Sequence, residues 1–232
     1  MCSLSVFALT YTRELESKAN NGDAHSQYLL CHCYIDGLGI EIDYDEAFIW
    51  CEKAAHQGHK NALTQMGYFY FCGKGTKQDD KKAFDYFYKA AKKGCPDAQF
   101  MMARCYKEGR GTAKNDDKAI KFCEKSASQG FAMAQWYLGE CYSRGDGVEK
   151  ELTKAELWLK KSAEQDFMYA QYSLGMYYKN YSRAKDAKTR GRIHLLTGQI
   201  EFPPDKPMPD KRRFFVTDGW QRRVVRPNRG CR

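Results

Sequence analysis

A period of 36 residues, held without a slip along most of the chain, constrains this protein more than any other feature. Tyr34, Tyr70, Tyr106, Tyr142 and Tyr178 mark it. In phase with them run the glycine pairs Gly37/Gly39, Gly73/Gly75, Gly109/Gly111 and Gly145/Gly147, and the alanines Ala47, Ala83, Ala119 and Ala155. An apolar series, Leu30, Met66, Met102, Leu138 and Leu174, keeps the same phase. A unit of this size cannot bury its apolar face alone, so the repetition implies units stacked side by side.

Each unit reads as two helices around a glycine turn. Ala62, Met66 and Tyr70 fall at i, i+4 and i+8 on one stripe of a first helix. Ala47, Trp50, Cys51, Ala54 and Ala55 form the stripe of a second, where small alanines alternate with a bulky ring at Trp50, Tyr86, Phe122 or Trp158. Asp43, Asp79 and Asn115 stand where a side-chain oxygen caps the second helix, and Glu151 is the poorer cap of the fourth unit. Gly58, Gly94 and Gly130 follow that helix as left-handed C-terminal residues. Asp166 replaces this glycine in the last unit and predicts a looser turn there.

These residues carry a resemblance. Ala98-Gln99, Met102-Ala103, Tyr106, Gly109-x-Gly111, Asn115, Lys118-Ala119, Phe122, Lys125-Ser126-Ala127 and Gly130 together resemble the Sel-one-like repeat, a relative of the tetratricopeptide repeat. The resemblance implies an all-α fold, a right-handed α-solenoid of 36-residue helix-turn-helix repeats, serving as an adaptor or scaffold for protein partners and carrying no reaction. It implies a half-repeat capping helix over residues 1–22 and a solenoid over 23–178, with four full units plus the first helix of a fifth. A degenerate repeat end and basic tail over 179–232 complete the expected organisation, since Tyr181, Arg183 and Gly191 break the pattern.

In the related repeats the open face is lined by first-helix residues. The corresponding positions give a candidate peptide-binding groove at Tyr28, Tyr68, Phe71, Phe100, Arg104, Trp136, Glu140 and Tyr172. One series within it, Tyr28, Thr64, Phe100, Trp136 and Tyr172, offers four large rings to an extended or helical peptide, with Arg104 and Glu140 setting polarity. The opposing expectation is that these rings pack against the neighbouring unit, as buried aromatics mostly do.

Composition narrows the remaining classes. The 232 residues hold 43% hydrophobic and 29% charged side chains, which describes a folded rather than a disordered chain. No apolar run is long enough for a spanning helix, the mean hydropathy is -0.72, and Met1–Thr10 has no basic lead, so neither membrane insertion nor a signal peptide is expected. Of the 10 cysteines, Cys33, Cys105 and Cys141 share a repeat position with Phe69 and Tyr177, and Cys51 and Cys123 share another with Phe87 and Leu159, so these read as packing thiols. Cys31 and Cys33 point about 200° apart on a helix and cannot share a metal. The cysteine-rich secreted members of the family carry cysteines at positions that are here Ala55/Leu63, Ala91/Gln99, Ala127/Gln135 and Ala163/Gln171. Their absence favours a reducing, cytoplasmic compartment and weakens the enzymatic reading. The five histidines form no catalytic or metal motif, Gly73-Lys74-Gly75-Thr76 is the repeat turn rather than a phosphate loop, and no catalytic residue, metal or cofactor is expected.

The net charge of +9 resides at one end. Residues 1–178 are nearly neutral, whereas 179–232 hold 15 basic and 5 acidic side chains. After Pro203-Pro204 and Pro207-Met208-Pro209, the run Arg212, Arg213, Phe214, Phe215, then Asp218-Gly219, Trp220, Arg222 and Arg223 predicts a β-hairpin of arginines and rings. Such a tail would suit RNA or single-stranded DNA. The sequence therefore favours a non-enzymatic protein-binding adaptor, with a nucleic-acid or polyanion binder as the alternative; it gives no oligomeric state.

Overall fold

The computed structural model describes residues 10–184, with side chains through Tyr178. The basic tail, including Arg212, Arg213, Trp220, Arg222, Arg223 and the expected hairpin, lies outside the described residues. Among those described, every regular element is a helix: α1 Arg13–Asn20, α2 Ala24–Asp36, α3 Tyr44–His56, α4 Lys60–Cys72, α5 Asp80–Lys92, α6 Pro96–Glu108, α7 Asp116–Ser128, α8 Ala132–Arg144, α9 Leu152–Ala163 and α10 Met168–Ala184. The fold is an all-α solenoid in which α2, α4, α6, α8 and α10 are the first helices of successive repeats. The described chain divides into two compact units, 10–90 and 91–184, within α5.

In the first unit α1 packs on α2, α2 on α3 and α3 on α4; in the second, α6 through α10 pack in sequence. The repeated residues explain how each hairpin closes. Gly73 ends α4 in the left-handed region at φ +68°. The carbonyl of Tyr70 then accepts a hydrogen bond from the Asp79 backbone at 2.9 Å, and Asp79 caps α5 through the Lys82 amide at 2.9 Å. The same carbonyl bond recurs from Asp43 to Tyr34, Asn115 to Tyr106 and Glu151 to Tyr142. Gly75 has a second duty: a Cβ there would stand 2.1 Å from the carbonyl oxygen of Tyr44 at the start of α3. Asp43 and Asn115 cap as the sequence predicts, and Glu151 makes no capping bond.

Asp166 departs from expectation. It adopts φ +58° and donates its amide to Ala163 at 3.0 Å, the bond that Gly130 makes to Ala127. The turn is as tight as the others; the chain holds a side chain in a backbone region that disfavours one.

Within each hairpin, the core is fitted by complementary size. Phe87 of α5 is fully buried against Gly67 of α4, where a Cβ would stand 2.5 Å from the ring. Leu159 of α9 lies against Gly139 of α8 in the same way, with a Cβ placed 2.8 Å from Leu159 Cγ. Where the second helix carries a thiol instead, Cys51, the first helix carries Cys31, and the two thiols touch. Each pair is separated by 20 residues in sequence.

A recurring set of side-chain bonds closes the repeats between their first and second helices. Gln57 Nε2 donates to Gln27 Oε1 at 2.8 Å, Gln129 to Gln99 at 2.6 Å and Gln165 to Gln135 at 2.7 Å. Leu63 and Lys93 hold both corresponding positions of the remaining repeat, so the two partners change together. Ser126 and Ser162 each donate a hydroxyl, at 2.6 Å, to the carbonyl of Pro96 and Ala132 respectively.

Candidate functional site

The residues expected to line an open face divide by burial. In the first unit Tyr28 and Tyr68 are half-buried, while Thr64 and Phe71 are buried. In the second, Phe100 is 1% exposed and Trp136 7%, Arg104 is buried, and Glu140 and Tyr172 are half-buried. Phe71 packs on Phe87 at 6.2 Å between ring centroids, inside the hairpin core.

The aromatic series follows a stacking rule. Tyr28 lies 4.8 Å from the His59 ring, Phe100 5.8 Å from Phe131, and Trp136 6.0 Å from Phe167. Each ring thus meets the residue that leads into the next first helix, 31 positions on. Trp136 also donates its indole N–H to Ser173 at 3.0 Å and lies 5.6 Å from Tyr169. Phe100 and Trp136 therefore belong to the joint between repeats, and the series does not present four open rings.

The neighbouring series behaves differently. Positions 32, 68, 104, 140 and 176 hold His, Tyr, Arg, Glu and Met, five different chemistries on one backbone position. Arg104 Nη2 pairs with Glu108 at 3.0 Å, Glu140 contacts Arg144, and His32 Nδ1 stands 3.8 Å from Asp36. His32 is 6% exposed, and neither of its ring nitrogens makes a hydrogen bond. Burying an imidazole or a guanidinium is unfavourable unless something compensates, and here Asp36 and Glu108 stand beside the two groups. Lys107, at the end of α6, bridges Asp146 at 2.5 Å and Asp116 at 3.3 Å, holding two turns of the second unit together.

His59 has an electrostatic role that the sequence reading missed. Its Nδ1 accepts from the Ala62 amide at 3.3 Å, so a neutral imidazole caps α4 as Asp23 caps α2. Burial, and His25 alongside, lower its pKa. Four thiols are the opposite of reactive: burial raises Cys31 and Cys123 well above the ordinary range, and Cys33 and Cys141 to about 11. None would be a thiolate nucleophile near neutral pH.

Second-helix lysines have a purpose that spacing alone did not show. Lys53, Lys89, Lys125 and Lys161 lie over Trp50, Tyr86, Phe122 and Trp158, at 3.7, 5.2, 5.5 and 4.6 Å from the ring centroids. Lys82, Lys118 and Lys154 lie over Tyr70, Tyr106 and Tyr142 at 5.0–5.4 Å. Tyr70 stacks on Tyr86 and Tyr106 on Phe122, so each ring pair is flanked by two ammonium groups. The signal was legible as a lysine three residues after every bulky ring. Among the described residues, no group of three or more His, Cys, Asp or Glu side chains could hold a metal ion, and no helix is long and apolar enough to cross a membrane.

Fold and faces together define a helical-repeat scaffold: packed hairpins whose structural positions recur and whose first-helix positions vary. Four segments, 24–59, 60–95, 96–131 and 132–167, match the Sel1 repeat. The chain belongs to the Sel1 repeat family, whose members generally act as scaffolds for protein interactions. It is similar to a protective antigen of uropathogenic Escherichia coli that displays this repeat fold, with 34% identity and a TM-score of 0.66 over 72% of this chain. It is also similar to a Sel1 repeat protein from Oxalobacter formigenes, with 33% identity and a TM-score of 0.62 over 70% of this chain. The matched regions span 36% and 47% of those structures. An immunity protein of Pseudomonas aeruginosa, 23% identical over 68% of this chain and 58% of its own with a TM-score of 0.51, shares the fold. No curated protein matches the chain.

Proposed function

We propose that this protein is a non-enzymatic scaffold that binds a peptide or protein segment on its first-helix faces. The observation that carries the reading is the variable series His32, Tyr68, Arg104, Glu140 and Met176. It runs beside positions that hardly vary, such as Leu30, Met66, Met102, Leu138 and Leu174. A repeat protein supplies its own comparison set: where every unit needs the same packing the residue recurs, and where a ligand is read it differs. Tyr28, Tyr68 and Tyr172, with Glu140, are the side chains that remain half-buried on these faces. Phe71, Phe100, Arg104 and Trp136 support them from within. A reducing, cytoplasmic setting suits a chain whose thiols are built to pack.

The test is selection of a random linear peptide library on the full chain, then affinity for Tyr28→Ala, Tyr68→Ala and Tyr172→Ala. At least one substitution is expected to weaken the selected peptide about tenfold while leaving the unfolding transition in place. Peptides that bind all three variants as tightly as the parent would overturn the assignment, as would a library from which nothing enriches. The alternative, polyanion binding through Arg212, Arg213, Trp220, Arg222 and Arg223, would instead enrich acidic peptides whose affinity collapses with salt.

A further inference from the structure

Three first helices repeat one polar arrangement, and the first of them leaves it unfinished. The residue at the variable position and the residue one turn later form an acid–base pair in Arg104–Glu108 and in Glu140–Arg144, each with an arginine in direct contact with a carboxylate. The corresponding pair on α2 is His32–Asp36, where the imidazole Nδ1 stands 3.8 Å from the carboxylate, beyond hydrogen-bond length. His32 is buried with both ring nitrogens unbonded, and the Asp36 side chain is only 12% exposed. Among the described residues, no lysine or arginine lies within ion-pair distance of Asp36, and its carboxylate makes no hydrogen bond. An imidazole and a carboxylate withdrawn this far from water are costly when neither finds a partner. Asp36 is also the last residue of α2, where the helix dipole disfavours a negative charge.

We propose that this unfinished pair is the seat of an arginine side chain of the bound peptide. Its guanidinium donates to the Asp36 carboxylate and to an unbonded nitrogen of His32, and so supplies what Arg104 and Arg144 supply within their own helices. Tyr28, half-buried and 4.7 Å from the His32 ring, brings an aromatic ring to the same place, which suits a planar guanidinium better than an ammonium. An acidic group of the ligand would instead be repelled by Asp36. Leaving histidines aside, the one other charged side chain on α2 and α4 is Lys60, at the opposite end of its helix, so Asp36 alone sets the sign that these two helices read. The source of the arginine rests on the peptide-binding reading above; the seat itself does not.

The probe is N-acetyl-arginine amide, titrated into the full chain while the ring signals of His32 are followed by NMR, with N-acetyl-citrulline amide as the uncharged control of nearly the same shape. The arginine probe is expected to shift those signals saturably with a Kd of about 1–10 mM, and the citrulline probe to bind about tenfold more weakly or less. Asp36→Asn, which keeps the size of the side chain, should weaken the arginine probe about tenfold while the unfolding transition stays in place. Shifts that do not saturate, that are equal for the two probes or that survive Asp36→Asn would overturn the proposal. Should Asp36→Asn fail to fold, the two probes compared on the parent chain decide alone. A chain that holds the arginine probe but enriches no peptide would support the seat and overturn the peptide reading. One that enriches peptides without arginine, at affinities indifferent to Asp36→Asn, would overturn the seat and leave the peptide reading standing.

Discussion

Gly139 and Leu159 show how narrowly single positions are specified. Glycine in a helix is unfavourable by about 1 kcal/mol relative to alanine, yet a methyl group at Gly139 would press on Leu159 at 2.8 Å. Gly139→Ala should therefore destabilise the protein by about 1–2 kcal/mol in urea unfolding, and Leu159→Ala introduced with it should show a coupling of about 1 kcal/mol or more. Additive effects would disprove the contact. Asp166 makes the converse case: Asp166→Gly removes the φ +58° strain and should stabilise by about 1 kcal/mol, a Tm rise of about 2–4 °C. His59 supplies the pH dependence. Its folded pKa lies below its unfolded value of 6.5, so its contribution is full above that value and is lost as pH falls through the folded pKa. As pH falls from 7 through 6.5 and below, the parent should lose more stability than His59→Asn, which keeps an uncharged cap acceptor; parallel pH profiles would contradict the cap.

Helices and turns were largely legible because their signals repeat. The Asp43, Asp79 and Asn115 caps, the left-handed glycines and the Ala47-type stripes recur from unit to unit, the fourth departing only where Glu151 makes no cap and Asp166 replaces the glycine. The candidate site was less legible, because helical spacing tells which residues share a face and not what lies across from them. Phe100 and Trp136 sit on the expected face, but Phe131 and Phe167, the residues that lead into the next first helices, cover them. The glutamine bonds escaped notice for the same reason, since Gln99 and Gln129 meet only once α6 and α7 fold together. If that bond holds the two helices of a hairpin together, Gln99→Ala and Gln129→Ala should show a coupling of about 1 kcal/mol, read by a double-mutant cycle in chemical denaturation. Zero coupling would make the amides decorative.

At the scale of the chain, near neutrality over 1–178 and strong basicity over 179–232 separate two modes of recognition. Contacts made by half-buried tyrosines depend on apolar burial and respond weakly to ionic strength, whereas contacts to phosphate release counterions and respond steeply. The most direct measurement is the affinity of a library-selected peptide for the full chain across salt, from about 50 to about 500 mM. A scaffold acting through its first-helix faces predicts a Kd that changes by less than about threefold over that range. A loss of a hundredfold or more, removed by substituting Arg212, Arg213, Arg222 and Arg223, would contradict the account and move the binding function to the tail.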